Sequence, residues 1–592
     1  MRSRQILGYL VQVDGAAVII NLEDSVRSHV AGHIEGISSF EQPGDLIAIE
    51  AGSDIIVGRV QTLLFAEPRD FHAQRLRPSE NNPPLRQLKA TIIGLLRRQS
   101  GYLKFQSQTT RLPTLGACAF PLSGDELRAT FGDVDTDSKN RIEIGHEARS
   151  NFLHVSANLN TLLARHVAVL GATGQGKTHL VADIVQQVAN LDKARIVVFD
   201  VNGEYYPAFK HLGEKVKYTA IGSNLGRNAP INGECFKIPY YALGRHGLFR
   251  LLLPSERTQA PALRFAIEHL PYVDGDENGA RNVNSTTNVL FDDCRTTGAQ
   301  EAANALETIK QKQVSANKWA HMKSLSCLAA DYYVIKNGRN GFERDAFLYG
   351  HIQSLISRIN SLILDERFQA VVDVAQHAAS ATPLNMETEA AEIISRIFGK
   401  AEYNKNDASV HIVDLSQLTQ DLMPFVLGAL LELFAEQLFR RGAGRTHPTL
   451  LVLEEAHHYL RQLSGDGETG QHTLAYERLA KEGRKFGLSL LVSTQRPSEL
   501  SPTVLAQCGS WIVFRLTNEL DKRAVTSAAE DSGANVSEQL SGLGRGEAIA
   551  FGAAFQLPIR IRRDPLPENM QPDSQDPPFE SAWSSPSLPE KE

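Results

Sequence analysis

Gly171-Ala172-Thr173-Gly174-Gln175-Gly176-Lys177-Thr178 is the stretch that decides the reading of this chain. It follows the apolar run HVAVL, residues 166–170, and precedes HLVADIVQQVANL, whose apolar residues recur three and four apart. A strand, a glycine-bearing loop and a helix in that order is the setting in which G-x-x-x-x-G-K-[ST] grips a nucleoside triphosphate. Small residues let consecutive backbone N–H groups curl around an anion at a helix N-terminus, where aligned peptide dipoles leave partial positive charge. Lys177 is then placed to reach the β- and γ-phosphates of ATP and Thr178 to ligate Mg2+. Gly171, Thr173, Gly174, Gln175, Gly176 and His179 complete the expected binding loop.

Downstream of this loop, apolar runs alternate with helical stretches. RIVVF ends at Asp200, HIVDL at 411–415 contains Asp414, TLLVL precedes Glu454, LSLLVS precedes Thr494, and WIVFRL ends beyond Arg515. Continuous apolar strands separated by helices predict an α/β fold with a mostly parallel sheet covered on both faces. Between about 224 and 405 such strands are scarce and helix-forming residues dominate, so a helical insertion is expected there.

The expected partner of the loop is Leu450-Leu451-Val452-Leu453-Glu454-Glu455-Ala456-His457, an apolar strand ending in two carboxylates. Consecutive side chains diverge at a strand tip, so Glu454 is assigned to the metal shell, through water, and Glu455 to polarising the attacking water. An acidic pair that merely caps the following helix is the plainer alternative. Two further elements follow: Lys481-Glu482-Gly483-Arg484-Lys485-Phe486-Gly487, then Ser493-Thr494-Gln495-Arg496-Pro497. Gln495, at a strand end, is a candidate γ-phosphate sensor. Arg484 is a candidate arginine finger, because phosphoryl transfer gains from cationic charge on the transferring oxygens.

Upstream, residues 6–96 read as short β-rich runs, GYLVQV, AAVIINL, DLIAIEAG, DIIVGRVQTLL and LKATIIGLL. Asp14-Gly15 between the first two is a hairpin signal. A small β-barrel or sandwich is expected, with polar loop or linker sequence at 73–90 and 119–145. Residues 564–592 hold seven prolines and a net charge of −6, and are expected to be disordered. The remaining body carries only −1 of the total −7, so composition neither supports nor excludes a nucleic-acid partner.

At 592 residues the chain is too long for one hydrophobic core, and at least two domains are expected: 1–145, then 146–563, then the tail. No run approaches the ~20 consecutive apolar residues of a membrane span, and the N-terminus lacks a signal-peptide core, so a cytoplasmic protein is expected. Cys118, Cys235, Cys294, Cys327 and Cys508 show no metal-ligand spacing and are read as reduced structural thiols.

Together, LLARHVAVLGATGQGKTH, FDVNGEYY with Asp200, Gly203 and Glu204, VLEEAHHYL, KEGRKFGLSLLVSTQRPSEL, FRLTNELDKRAV and GLGRGEAIAFGAAFQLPIRI resemble the HerA/FtsK group of ATPases, most closely the HerA type. The resemblance extends to about Arg563, and the N-terminal β-rich module looks like that family's HAS barrel. It implies a RecA-like P-loop NTPase core and a homo-hexameric ring with ATP at subunit interfaces. It further implies Arg484 acting on the neighbour's γ-phosphate, with Arg165 assisting, and double-stranded DNA in the central channel. Loops around Arg461–His472 or near Lys210 are candidates to face that DNA. The resemblance also implies a helicase or translocase activity with a partner nuclease of the NurA kind, or a sirtuin-like or other effector at the barrel end in phage defence. A ring scaffold whose bound ATP controls assembly of an effector enzyme is the alternative. A conjugation or secretion ATPase of the same superfamily has less support, since such proteins commonly carry or dock onto membrane segments.

Overall fold

The computed structural model describes residues 5–23, 30–33, 36–39, 42–65, 85–99, 102–107, 111–132, 140–149, 153–284, 298–378, 383–461, 475–528, 536–574 and 583. The chain divides into two compact units, Met1–Leu180 with Cys508–Pro565, and Val181–Gln507 with Leu566–Glu592.

The first unit opens with a six-stranded barrel. Its strands run in the order Ala17–Leu22, Gly8–Asp14, Cys118–Pro121, Leu46–Ala51, Asp54–Phe65 and Arg86–Gln99, and the ring closes where Ala17–Asn21 pairs with Thr91–Gln87. Closure removes the exposed edges that open sheets must otherwise protect. Alternation fills the interior: Val18, Ile20 and Leu22 point inward from one strand and meet Leu10, Ile47, Ile49, Ile56, Val60 and Leu88 from the others. The first hairpin turns at Gly15-Ala16, one residue later than Asp14-Gly15, because Asp14 stays in the ladder opposite Ala17. Gly15 supplies the positive φ, 56°, at the first turn position. The stretch 119–145 is more than a linker, since Gly124–Phe131 is a helix closed by a capping box between Ser123 and Glu126. Most of the 73–90 loop expectation lies outside the described residues.

The same unit contains strands in the order His154–Asn158, Arg141–Glu147, Ile559–Arg562, Glu547–Gly552, Cys508–Phe514 and His166–Leu170. All neighbours are antiparallel except the last pair, which is parallel.

In the second unit the strands Leu488–Thr494, Thr449–Leu453, Ile196–Asp200, Val410–Asp414, Val216–Ile221 and Glu234–Phe236 lie in that order and are parallel throughout. The first four are buried at every position, which is why their sequences read as unbroken apolar runs. The helical insertion is present between Glu234–Phe236 and Val410–Asp414, its long helices including Gln259–His269, Lys323–Val334 and Ala346–Leu364. Trp319, fully buried, stacks on Tyr241 at 4.3 Å, and the Tyr240 hydroxyl donates to the Ala320 carbonyl at 2.6 Å.

Residues 566–574, the start of the stretch expected to be a disordered tail, are tied down by polar contacts. Gln186 donates to the carbonyls of Ala208 and Met570, Asn228 donates to Asp573, and the Asp573 N–H donates to the Glu204 carbonyl. Composition could not show these bonds, since each partner lies hundreds of residues away. From 575 onward the tail expectation falls outside the described residues, apart from position 583. Among the described residues no helix is long and apolar enough to cross a membrane, no cluster of metal-binding side chains occurs, and Cys118, Cys235, Cys327 and Cys508 are free. Cys294 is outside them.

One charged pair lies inside the insertion: Asp331 and Arg344 meet at 3.2 Å with side chains 0% and 4% exposed. Burial pushes the Asp331 carboxyl up to about 7 against the opposing pull of Arg344. Breaking such a pair strands a buried charge at a cost of about 3–5 kcal/mol. Arg344→Met is therefore expected to lower the first calorimetric unfolding transition by several degrees, and Asp331→Asn added to it to recover part of the loss.

Candidate active site

Within the first unit the strand His166–Leu170 delivers the chain into the loop, and the helix Lys177–Ala189 leaves it. Gly171 takes a φ of 149° and a Cβ there would stand 2.5 Å from the Phe514 Cβ. No other residue fits this first step of the turn. Gly174 and Gly176 also take positive φ, 72° and 110°. The loop is tied to the strands beside it, with Ala172 N–H donating to the Arg515 carbonyl at 2.9 Å and Gly546 N–H donating to the Gln175 carbonyl at 3.1 Å. Lys177 is 7% exposed, and its Nζ donates to the Ala172 carbonyl at 3.1 Å, folding the amine over the loop. Thr173 and Gly174 are exposed on its outer side and Thr178 is half-buried at the helix start. His179 follows; burial, then the charges of Arg563 and Arg545, hold its imidazole below the usual value. Those two arginines, in the closing segment near Gly546, were not singled out from sequence, because only the fold brings them to the loop.

Arg165 does not join this group. It sits at the amino end of the strand, exposed, with its side chain laid over Gly509, whose Cβ would stand 2.6 Å from the arginine's own. Roughly 20 Å of extended chain separates it from Gly171, at about 3.3 Å per residue.

Within the second unit the register places Asp200 opposite Asp414 and Leu453 opposite Val492. The carboxyl ends of the strands therefore gather Asp200, Asp414, Glu454, Glu455 and Gln495 along one edge, where α/β sheets bind ligands. Asp200 accepts N–H groups from Gly203, Glu204 and Tyr205 at 2.8–3.1 Å, so its carboxylate shapes the FDVNGEYY loop. Burial pushes it up to about 6 in spite of those bonds. Asp414 is bonded by the Tyr218 hydroxyl and by the Ser416 N–H at 2.8 Å.

Glu454 is 2% exposed, and the Tyr459 hydroxyl donates to its carbonyl at 2.9 Å. Tyr205 is buried beside it, its phenol driven well above the usual value by burial and then by the Glu454 charge. Glu455 departs from ordinary backbone geometry, with φ 41° and ψ 45°. A non-glycine residue in that left-handed region costs about 1–2 kcal/mol, and such strain is characteristically held at functional positions. Its Oε2 accepts the Gln495 N–H at 3.4 Å and lies 3.2 Å from His457 Nδ1. The structure thus brings Glu455 and Gln495 together, and adds His457, a residue visible in EEAHH but not singled out.

Arg484 lies apart from them. It is exposed on the turn Gly483–Phe486, before the strand whose far end carries Gln495. A seven-residue strand spans about 20 Å.

A phosphate-binding loop between a buried strand and a helix, and a strand-end pair of acids on a parallel sheet, define a P-loop ATPase, an enzyme that hydrolyses ATP. Residues 142–434 match the family model described as "Helicase HerA, central domain". A probable helicase of Methanocaldococcus jannaschii is 26% identical over 80% of this chain and 78% of its own length. The DNA double-strand break repair helicase HerA of Pyrococcus furiosus is 24% identical over 76% of this chain and 72% of its own. That of Saccharolobus solfataricus is 25% identical over 76% and 73%. Among solved structures, VirB4 of Thermoanaerobacter pseudethanolicus aligns over 73% of this chain and 98% of its own at 18% identity, with a TM-score of 0.41. The central part of the chain is thus of the HerA helicase type.

Gly171→Ala places a methyl group against Phe514 and a strained φ at the mouth of the loop. It is expected to weaken binding of a fluorescent ATP analogue at least tenfold while the barrel unfolds at its normal temperature.

Proposed function

We propose that this chain is one subunit of a hexameric ring that couples ATP hydrolysis to movement along double-stranded DNA, with residues 146–563 acting as one ATPase domain and 1–145 as the barrel that receives a partner. In this reading the loop from Gly171 to Thr178 and the Glu454–Glu455 tip face one nucleotide. Lys177 neutralises the β- and γ-phosphate oxygens, Glu455 takes the proton of the attacking water, and Gln495 contacts the γ-phosphate. The donor set, a threonine hydroxyl and a buried carboxylate, suits a hard cation: Thr178 and, through water, Glu454 would hold the Mg2+ that offsets charge developing on the phosphates.

The observation that carries the ring is where the two arginines lie. Arg165 and Arg484 each sit at the amino end of a strand whose carboxyl end leads to the nucleotide-binding residues of the same unit. An arginine side chain reaches only about 7 Å, far short of a strand's length. In this reading neither serves its own subunit's nucleotide; both are exposed, as a finger offered to a neighbour must be. The names of the HerA relatives, as DNA double-strand break repair helicases, support duplex DNA as the track. A partner nuclease or other effector at the barrel, in DNA repair or phage defence within the cytoplasm, completes the proposal; this chain carries no nuclease motif of its own. Of the loops considered for DNA contact, 462–472 lies outside the described residues and Lys210 lies on an exposed turn.

The purified protein is expected to show ATPase activity stimulated by double-stranded DNA and reduced at least a hundredfold by Lys177→Ala or Glu455→Ala. Unstimulated activity across DNA lengths would count against translocation. The shared site has its own check. Lys177→Ala and Arg484→Ala subunits, each inactive alone, are expected to recover part of the activity when mixed, because some interfaces then pair an intact loop with an intact arginine. No recovery in mixed rings would remove the trans assignment.

A further inference from the structure

We infer that His457 is a positioning residue for the Glu455 carboxylate, linking it to the strand end that carries Gln495. The inference rests on Glu455 being the base of the proposed reaction.

Two groups meet at one ring nitrogen. His457 Nδ1 lies 3.2 Å from Glu455 Oε2 and 3.0 Å from Thr494 Oγ1. The Thr494 hydroxyl in turn accepts the Arg496 N–H at 3.1 Å, and the Gln495 N–H donates to the same Glu455 oxygen at 3.4 Å. The catalytic strand tip and the tip of the adjacent strand are thus joined twice, once through backbone and once through the imidazole.

The chemistry of the pair sets the tautomer. An ionised carboxylate only accepts hydrogen bonds, so Nδ1 must carry the hydrogen for the contact with Oε2 to be attractive. That hydrogen is shared with Thr494 Oγ1, whose own proton is then directed elsewhere. The surroundings are nearly dry: His457 is 3% exposed, Thr494 is fully buried, and the Glu455 side chain is 12% exposed. Hydrogen bonds in such surroundings are stronger and better aimed than in water. The ring packs at a tilt against His458, centroids 4.1 Å apart, and the His457 backbone carbonyl accepts Arg461 Nε at 2.8 Å. Two consequences follow. The carboxylate of a residue in strained backbone geometry has a fixed direction, and any movement of the strand tip bearing Gln495 is transmitted to it. A γ-phosphate contact at Gln495 is thereby coupled to the aim of the base.

The test uses two amides of the same chemistry that place their donor differently. Asn at 457 puts an N–H close to the Nδ1 position, whereas Gln puts it near Nε2. With the full-length protein and DNA present, His457→Gln is expected to lower kcat roughly 10–100-fold, the scale of a misplaced catalytic group, with KM for ATP changed less than about twofold. His457→Asn is expected to keep kcat within about threefold of wild type. In a Glu455→Gln background, His457→Gln is expected to add nothing. Melting temperature and nucleotide retention verify folding of each variant. Equal kcat values for the folded Asn and Gln variants would overturn the positioning role, whether both are active or both impaired, provided Glu455→Gln is inactive. A Glu455→Gln protein with wild-type turnover would instead remove the base assignment on which the inference stands.

Discussion

A nucleoside triphosphate concentrates several negative charges in a few ångströms, and a protein can surround it with N–H groups only where side chains stay out of the way. That constraint is met at Gly171, where the chain passes so close to Phe514 that a single methyl group would not fit. The tight turn lets the loop leave the end of a fully buried strand and enter a helix at once, aiming backbone donors and the helix dipole into the same space. The rest of the first unit fixes this geometry: Ala172 and Gln175 are each bonded to segments of the closing strands, more than 300 residues away in sequence.

Features written in local spacing were legible in the sequence. The phosphate-binding loop was readable because its chemistry needs contiguous residues, the parallel strands because burial on both faces leaves unbroken apolar runs, and the barrel because alternation exposes one face. The insertion announced itself by its want of long apolar strands. Features made by long-range contact were not legible. One local feature was hidden as well: the capping box of Ser123 and Glu126 lies inside a stretch whose polar composition suggested only a linker. Residues 566–574 looked unstructured by composition, yet their partners Gln186, Glu204 and Asn228 provide what the local sequence lacks. His457 was in view within EEAHH, but Thr494, which gives it meaning, comes 37 residues later.

The acidic tip shows how strain and function are reconciled. Glu455 occupies backbone space that glycine or asparagine would enter more easily, so the residue type there is set by its carboxylate and not by the turn. The cost is offset by neighbours that leave little alternative: the Glu454 carbonyl is bonded by Tyr459, the His458 N–H donates to the Glu455 carbonyl, and Oε2 meets the Gln495 amide. The strand behind it, buried at every position, holds the tip still. For the proposed base this matters: a flexible acid would sample many directions, and few of them suit a single water.

The arginines give the opposite arrangement. Arg165 and Arg484 are exposed, each a strand's length from the nucleotide-binding residues of its own unit. On the proposed assignment, a subunit built this way separates gripping a nucleotide from completing the charge that hydrolysis requires. In the proposed ring this separation would make firing conditional on a neighbour, whose amino edge would bring the missing cations. Order around such a ring would then need no extra signalling element, because each site would itself report whether the subunit beside it is in place.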